Sequence, residues 1–151
     1  MRVVGVDVGA RRIGLAISDA TRTLARPLET IAVTTAADAV ARVAARIAEL
    51  AAEDDGVAAI VVGLPRRLDG AETDMTRAAA AFVTALGART PLPIVTEDER
   101  LTSVEAERRL AARERDWKKR KEKIDAAAAA IVLQDYLDRH AATAGDAGDA
   151  E

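Results

Sequence analysis

The 151-residue sequence has no cysteine, one histidine and three aromatic residues, Phe82, Trp117 and Tyr136. Without cysteine there is no disulfide and no thiolate metal site. A single histidine, His140, excludes a multi-histidine zinc centre. So few aromatics leave no broad stacking platform for single-stranded nucleic acid and make the core aliphatic. No stretch approaches the roughly 20 apolar residues of a membrane span, so no membrane partner is expected. Arg2 leads into a strand-like segment instead of a helical apolar run, so no signal peptide is expected and the chain reads as cytoplasmic. What is present is apolar residues, 50% of the chain, many of them alanine. That is enough for one core, with helices lying close to whatever they cover.

The net charge of −3 does not point to nucleic acid, but its distribution does. Between Arg108 and Lys123 there are nine Lys/Arg against three acids, and between Met1 and Arg26 five Arg against Asp7 and Asp19. Local basic surface of this kind can hold phosphates on an acidic protein. The alternative is a solvated helix face.

The pattern of apolar residues divides the chain into elements. Arg2 to Val8 is apolar on both faces and β-branched, as a central strand covered on both sides would be. After a turn at Gly9 and Ala10, Ile13 to Ser18 alternates as a second strand. Leu24 to Val33 reads as a third, with Pro27 placing it at an edge or a bulge. Val40, Val43, Ala44, Ile47 and Leu50 have helical spacing within Ala36–Glu53. A strand at Ala58–Val62, a helix at Glu72–Leu86 and a strand at Leu92–Thr96 follow. Thr102 and Glu105 form a capping box that opens another helix. Ile124–His140 is a final alanine-rich helix, and residues 141–151 read as an unstructured tail after a domain of residues 1–140. The expected fold is α/β, a five-stranded mixed sheet in which a three-strand antiparallel meander is joined by two parallel strands and flanked by helices.

Three acidic positions stand out. Asp7 shares a strand face with Val3 and Gly5 and lies at the carboxyl end of its strand, where open α/β sheets place ligands. A buried carboxylate needs compensation, from Arg11 or Arg12, from turn N–H groups or from a metal ion. Glu97, Asp98 and Glu99 close a later strand, or equally serve the N-terminal region of a helix. Asp125 opens the final helix on the same face as Ala128, Ala129, Val132 and Tyr136, and so points inward unless it is an N-cap. Convergence of these carboxylates, with no cysteine or histidine ligands, suits Mg²⁺ or Mn²⁺ and phosphodiester cleavage. The basic segment Arg115, Trp117, Lys118, Lys119, Arg120 and Lys121 would then hold the polyanion, with little sequence preference. Its dense charge reads as a loop that orders on substrate.

"VDVGARRIGLAISD", "VVGLPRRLDG", "DERLTS" and "KIDAAAAAIVLQDYL", in this order, resemble the YqgF/RuvX family of bacterial pre-16S rRNA nucleases, also described as Holliday-junction-resolvase-like. The resemblance runs from Met1 to His140. It implies an RNase H-like fold, metal-dependent cleavage of nucleic acid and maturation of the 5′ end of 16S rRNA. It assigns catalysis to Asp7, Glu99 and Asp125 and metal binding to these and Asp98. Strand alternation puts Asp98 and Glu99 on opposite faces, so one of them serves. It matches Arg12 and Gly14 to the family's R-I-G turn and places Arg100 directly after Glu99. Gly63, Leu64, Pro65, Asp69 and Gly70 match a cleft loop. Gly9 would let the backbone turn closely, and Arg11 or Arg12 would meet phosphate. The expected partner is RNA (pre-rRNA) or else branched DNA, for a monomer or homodimer.

Two other classes compete. Asp7-Val8-Gly9 is also similar to the phosphate-binding turn of sugar kinases and actin-like ATPases, but those need two lobes, and this chain has the length of one. A non-catalytic nucleic-acid-binding module would use the basic segment alone.

Overall fold

A computed structural model of the chain describes residues 1–65, 71–98 and 117–149, with side chains at all of these except 117–123 and 141–149. Five strands form one sheet: β1 (Arg2–Val8), β2 (Arg12–Ser18), β3 (Ala25–Ala32), β4 (Val57–Leu64) and β5 (Ile94–Asp98), in the order β3-β2-β1-β4-β5. The first three pair antiparallel, and β4 and β5 pair parallel to β1 and to each other. The meander and the two parallel strands are those that the apolar pattern implies. Pro27 lies on edge strand β3, beside the register shift opposite Leu15/Ala16. A residue with no N–H fits there because no further strand needs it.

Alternation along β1 divides the interior in two. Val4, Val6 and Val8 join Ile13, Leu15 and Ile17 of β2 in the larger core, which is covered by α1 (Ala36–Ala51) and α2 (Asp74–Gly87). Helix α1 presents Ala39, Val40, Val43, Ile47 and Leu50 at helical spacing, and Thr35 caps it by accepting from the Asp38 N–H at 3.0 Å. At its other end the guanidinium of Arg2 donates to the carbonyls of Leu50 (3.0 Å) and Gly56 (3.2 Å) and pairs with Glu53. Those bonds tie the start of β1 to the last turn of α1 and to the loop that follows it. Helix α2 starts in a reciprocal Thr73–Thr76 capping box.

On the opposite face Val3, Ala16 and Val61 meet Ala129, Val132, Leu133 and Leu137 of α3 (Trp117–Asp149). The helix lies very close here. A Cβ on Gly5 would sit 2.8 Å from Leu133 Cβ and 3.0 Å from the Ala129 carbonyl oxygen. Small residues on both partners permit that approach, which explains the run of alanines from Ala126 to Ala130. The backbone of α3 begins earlier than the apolar pattern suggests and is helical through Asp149, over the stretch read as a tail. Among the described residues, no helix is long and apolar enough to cross a membrane.

Candidate active site

The site grows from the end of β1. Asp7 is 8% exposed, and its register partners are Gly14 on β2 and Gly63 on β4. Paired residues project to the same face of a sheet. Asp7 therefore points to the α3 side, between two positions that carry no side chain. Gly14 is filled from above, because a Cβ there would overlap the main-chain carbonyl of Asp125. The α3 turn that carries Asp125 thus lies directly on the strand residue that pairs with Asp7. Two acids far apart in sequence come together across one glycine.

Asp125 lies inside α3, eight positions after Trp117, so it is not an N-cap and not in the first helical turn. Its inward orientation holds, with the side chain 21% exposed. Arg12, two residues before Gly14, shares the same face. Its Nε lies 3.2 Å from Asp125 Oδ2, within ion-pair reach, but it is not aligned to donate; that buried oxygen makes no hydrogen bond. Burial raises the Asp125 carboxyl above its ordinary 3.8, and the Arg12 charge opposes the rise. Arg12, considered as a partner for Asp7, makes an ion pair with Asp125.

The β1–β2 turn is tight for a local reason. The Gly9 N–H donates to the Arg12 carbonyl at 2.9 Å, and a Cβ on Gly9 would lie 2.6 Å from that oxygen. Only glycine lets the backbone close in this way. The turn leaves the Arg11 side chain exposed while its carbonyl accepts from the Val33 N–H at 2.9 Å. Next to Gly63 and Leu64, the Pro65 carbonyl accepts from the Thr76 hydroxyl and is tied to the start of α2.

The second acidic cluster divides by register. Glu97 pairs with Gly63, and Asp98 with Leu64. Leu64 belongs to the core under α1 and α2, so Glu97 shares the face of Asp7 and Asp98 takes the other. Of the two candidate ligands Asp98 and Glu99, Asp98 projects by this register away from Asp7 and Asp125. Glu97, 9% exposed, pairs with Arg139 of α3, a contact that the sequence pattern did not expose. Glu99, Arg100, Asp69, Gly70 and Arg115 lie outside the described residues, as does the Thr102–Glu105 box. Trp117, Lys118, Lys119, Arg120 and Lys121 have helical backbone where a loop was expected, and their side chains are outside the described set. Among the described residues, no three His, Cys, Asp or Glu side chains gather as a metal cluster. The residues present nonetheless fit a hard cation: two oxygen donors share a face, and one of them is buried without a hydrogen bond.

A β3-β2-β1-β4-β5 sheet of this pairing, with a helix packed over its central strand, is an RNase H-like fold. Two solved structures share the fold. One is RuvC of Thermus thermophilus, with a TM-score of 0.53 at 20% identity over 95% of this chain and 98% of that one. The other is the same protein in complex with a Holliday junction substrate, with a TM-score of 0.51 at 18% identity over 91% and 93%. The chain belongs to the RuvX family, described as Holliday junction resolvase, whose model matches residues 1–139. It is 43% identical over 149 residues to a protein of Rhizobium meliloti (strain 1021) named "Putative pre-16S rRNA nuclease", covering 97% of this chain and 87% of that one. A protein of the same name from Chloroflexus aggregans is 45% identical over 136 residues, 90% of this chain and 92% of its own. The protein is accordingly a nuclease, a phosphodiester hydrolase.

Proposed function

We propose that the protein is a divalent-metal-dependent nuclease of the cytoplasm that matures the 5′ end of pre-16S rRNA, with residues 1–140 as its catalytic domain. The observation that carries this reading is the seating of Asp125 on Gly14 beside Asp7, with a buried carboxylate oxygen that makes no hydrogen bond. The names of relatives 43% and 45% identical over most of the chain support the substrate.

Asp7, Asp125 and Glu99 would hold Mg²⁺ or Mn²⁺. Glu99 is the choice over Asp98 because the family resemblance falls on Glu99, while the register turns Asp98 to the face away from Asp7. When bound, such an ion supplies charge neutralisation and an activated water for in-line displacement at phosphorus. The chain's own residues do the rest. Gly14 lets the Asp125 turn of α3 seat on β2, and Gly63, the other register partner of Asp7, places no side chain beside it. Arg11, exposed at the β1–β2 turn, meets phosphate, with Arg12 behind it. Arg100, Arg115 and Lys118 to Lys121 add salt-dependent affinity, and Trp117 offers one face for a base. The family resemblance assigns Asp69 and Gly70 to the same cleft loop as Gly63 and Pro65.

The test is cleavage of a defined 16S precursor, with Mg²⁺ or Mn²⁺, by wild-type protein and by Asp7→Asn. A mapped cut at the 5′ end that needs metal and Asp7 supports the proposal. Cleavage of a four-way DNA junction in place of the RNA would assign the site to branched DNA. Undiminished cutting by Asp7→Asn would refute the carboxylate mechanism.

A further inference from the structure

The Arg12–Asp125 pair carries a second function for a residue so far treated as a phosphate contact. An ionised carboxylate inside a helix, facing a sheet, needs a compensating charge. Arg12 supplies it incompletely. One guanidinium nitrogen approaches Oδ2 at 3.2 Å without alignment, so neither the forked geometry of a strong arginine–carboxylate pair nor a hydrogen bond is made. The anchor of Arg12 is fixed, because its carbonyl closes the turn to Gly9 and it pairs with Ala32 of β3. Its side chain, 35% exposed, has a way out to solvent.

We infer that Arg12 is a resident counter-cation of the metal site: it neutralises Asp125 in the metal-free protein and must withdraw when a divalent ion takes that carboxylate. The inference rests on the reading of Asp7 and Asp125 as metal ligands. Two cations cannot share the buried oxygen without strong repulsion. Metal entry therefore releases a guanidinium at the edge of the cleft, next to Arg11, where a phosphodiester can receive it. Arg12 is in this sense a positioning residue that links occupancy of the metal site to capture of the polyanion.

Mn²⁺ titration by calorimetry, without nucleic acid, tests this. Arg12→Gln should bind Mn²⁺ about tenfold tighter than wild type, as expected when a competing charge is removed near a partly buried site. Arg12→Lys should stay near wild type, and Arg11→Gln, which removes an equal but exposed charge, should change affinity by less than about twofold. The gain should vanish in Arg12→Gln/Asp125→Asn. Equal or weaker binding by Arg12→Gln overturns the inference, as does an equal gain from Arg11→Gln or a gain that survives Asp125→Asn. If wild type binds Mn²⁺ through Asp7 and Asp125 but Arg12→Gln is silent, only this inference falls. If no variant binds Mn²⁺ at millimolar concentration, the metal reading falls with it. Circular dichroism of each variant confirms that the fold is retained.

Discussion

The two faces of the sheet are built from different residues. Under α1 and α2 the sheet offers Val4, Val6, Ile13, Leu15, Ile17 and Ile60, large side chains that interlock with Val43, Ile47 and Phe82. Under α3 it offers Gly5, Gly14 and Ala16 to an alanine-rich helix, and main chain meets main chain. Bulky aliphatic residues bury more area and stabilise more per residue. Small ones give up that contribution and bring the helix close enough to set one carboxylate beside another. One face chiefly holds the fold together, and the other chiefly sets how closely the two acids approach.

That contrast can be broken by substitution. The largest effect belongs to the acid itself: Asp7→Asn should lower the cleavage rate by roughly a thousandfold, the equivalent of several kcal/mol of lost charge stabilisation. Next comes Leu15→Ala on the α1/α2 face. Leu15 is fully buried, and its truncation should cost about 2–5 kcal/mol in denaturant unfolding while Mn²⁺ affinity of the folded protein stays the same. Gly14→Ala, one residue away on the other face, should also destabilise, by at least about 1–3 kcal/mol through overpacking against main chain, and in addition weaken Mn²⁺ binding, because α3 must lift from β2 and carry Asp125 with it. Loss of metal affinity in Leu15→Ala, or its retention in Gly14→Ala, would erase the distinction between the faces.

The smallest effect sharpens it. Burial raises the Asp125 carboxyl above its ordinary 3.8, so just above that pH the folded chain holds a proton that the unfolded chain has lost. Stability then falls as pH rises through this window. Asn resembles the neutral acid and escapes the penalty. In metal-free buffer, the melting temperature of Asp125→Asn should gain on wild type as pH climbs from below 3.8 and level off once Asp125 is ionised in both states. A constant difference across that range would show that burial of the charge carries no cost.

Much of this was legible in the sequence. Doubly apolar β1, alternating β2 and the helical spacing of α1 fix the sheet and its larger core, because each depends on a period that local residues alone display. Asp7 and Asp125 were visible as acids on otherwise apolar faces. The rest depends on pairing that no local pattern contains. Parity within β5 separates Glu97 from Asp98, but only the Gly63–Glu97 register says which parity faces α3. The Arg12–Asp125 pair needed knowledge that α3 crosses β2 at Gly14. A signal was present, since Arg12 and Gly14 are two apart on one strand and so share a face. The helical backbone of Trp117 to Lys121 was missed because dense charge outweighed helix propensity in the reading, although Lys and Arg are good helix formers.

The overlap between a side chain at position 14 and the Asp125 carbonyl has a wider consequence. The ruler between the two acids is peptide backbone, whose dimensions are the same for every sequence. Substitutions on the outer surface of α3 can accumulate without altering that spacing. One methyl group at position 14 is enough to change it.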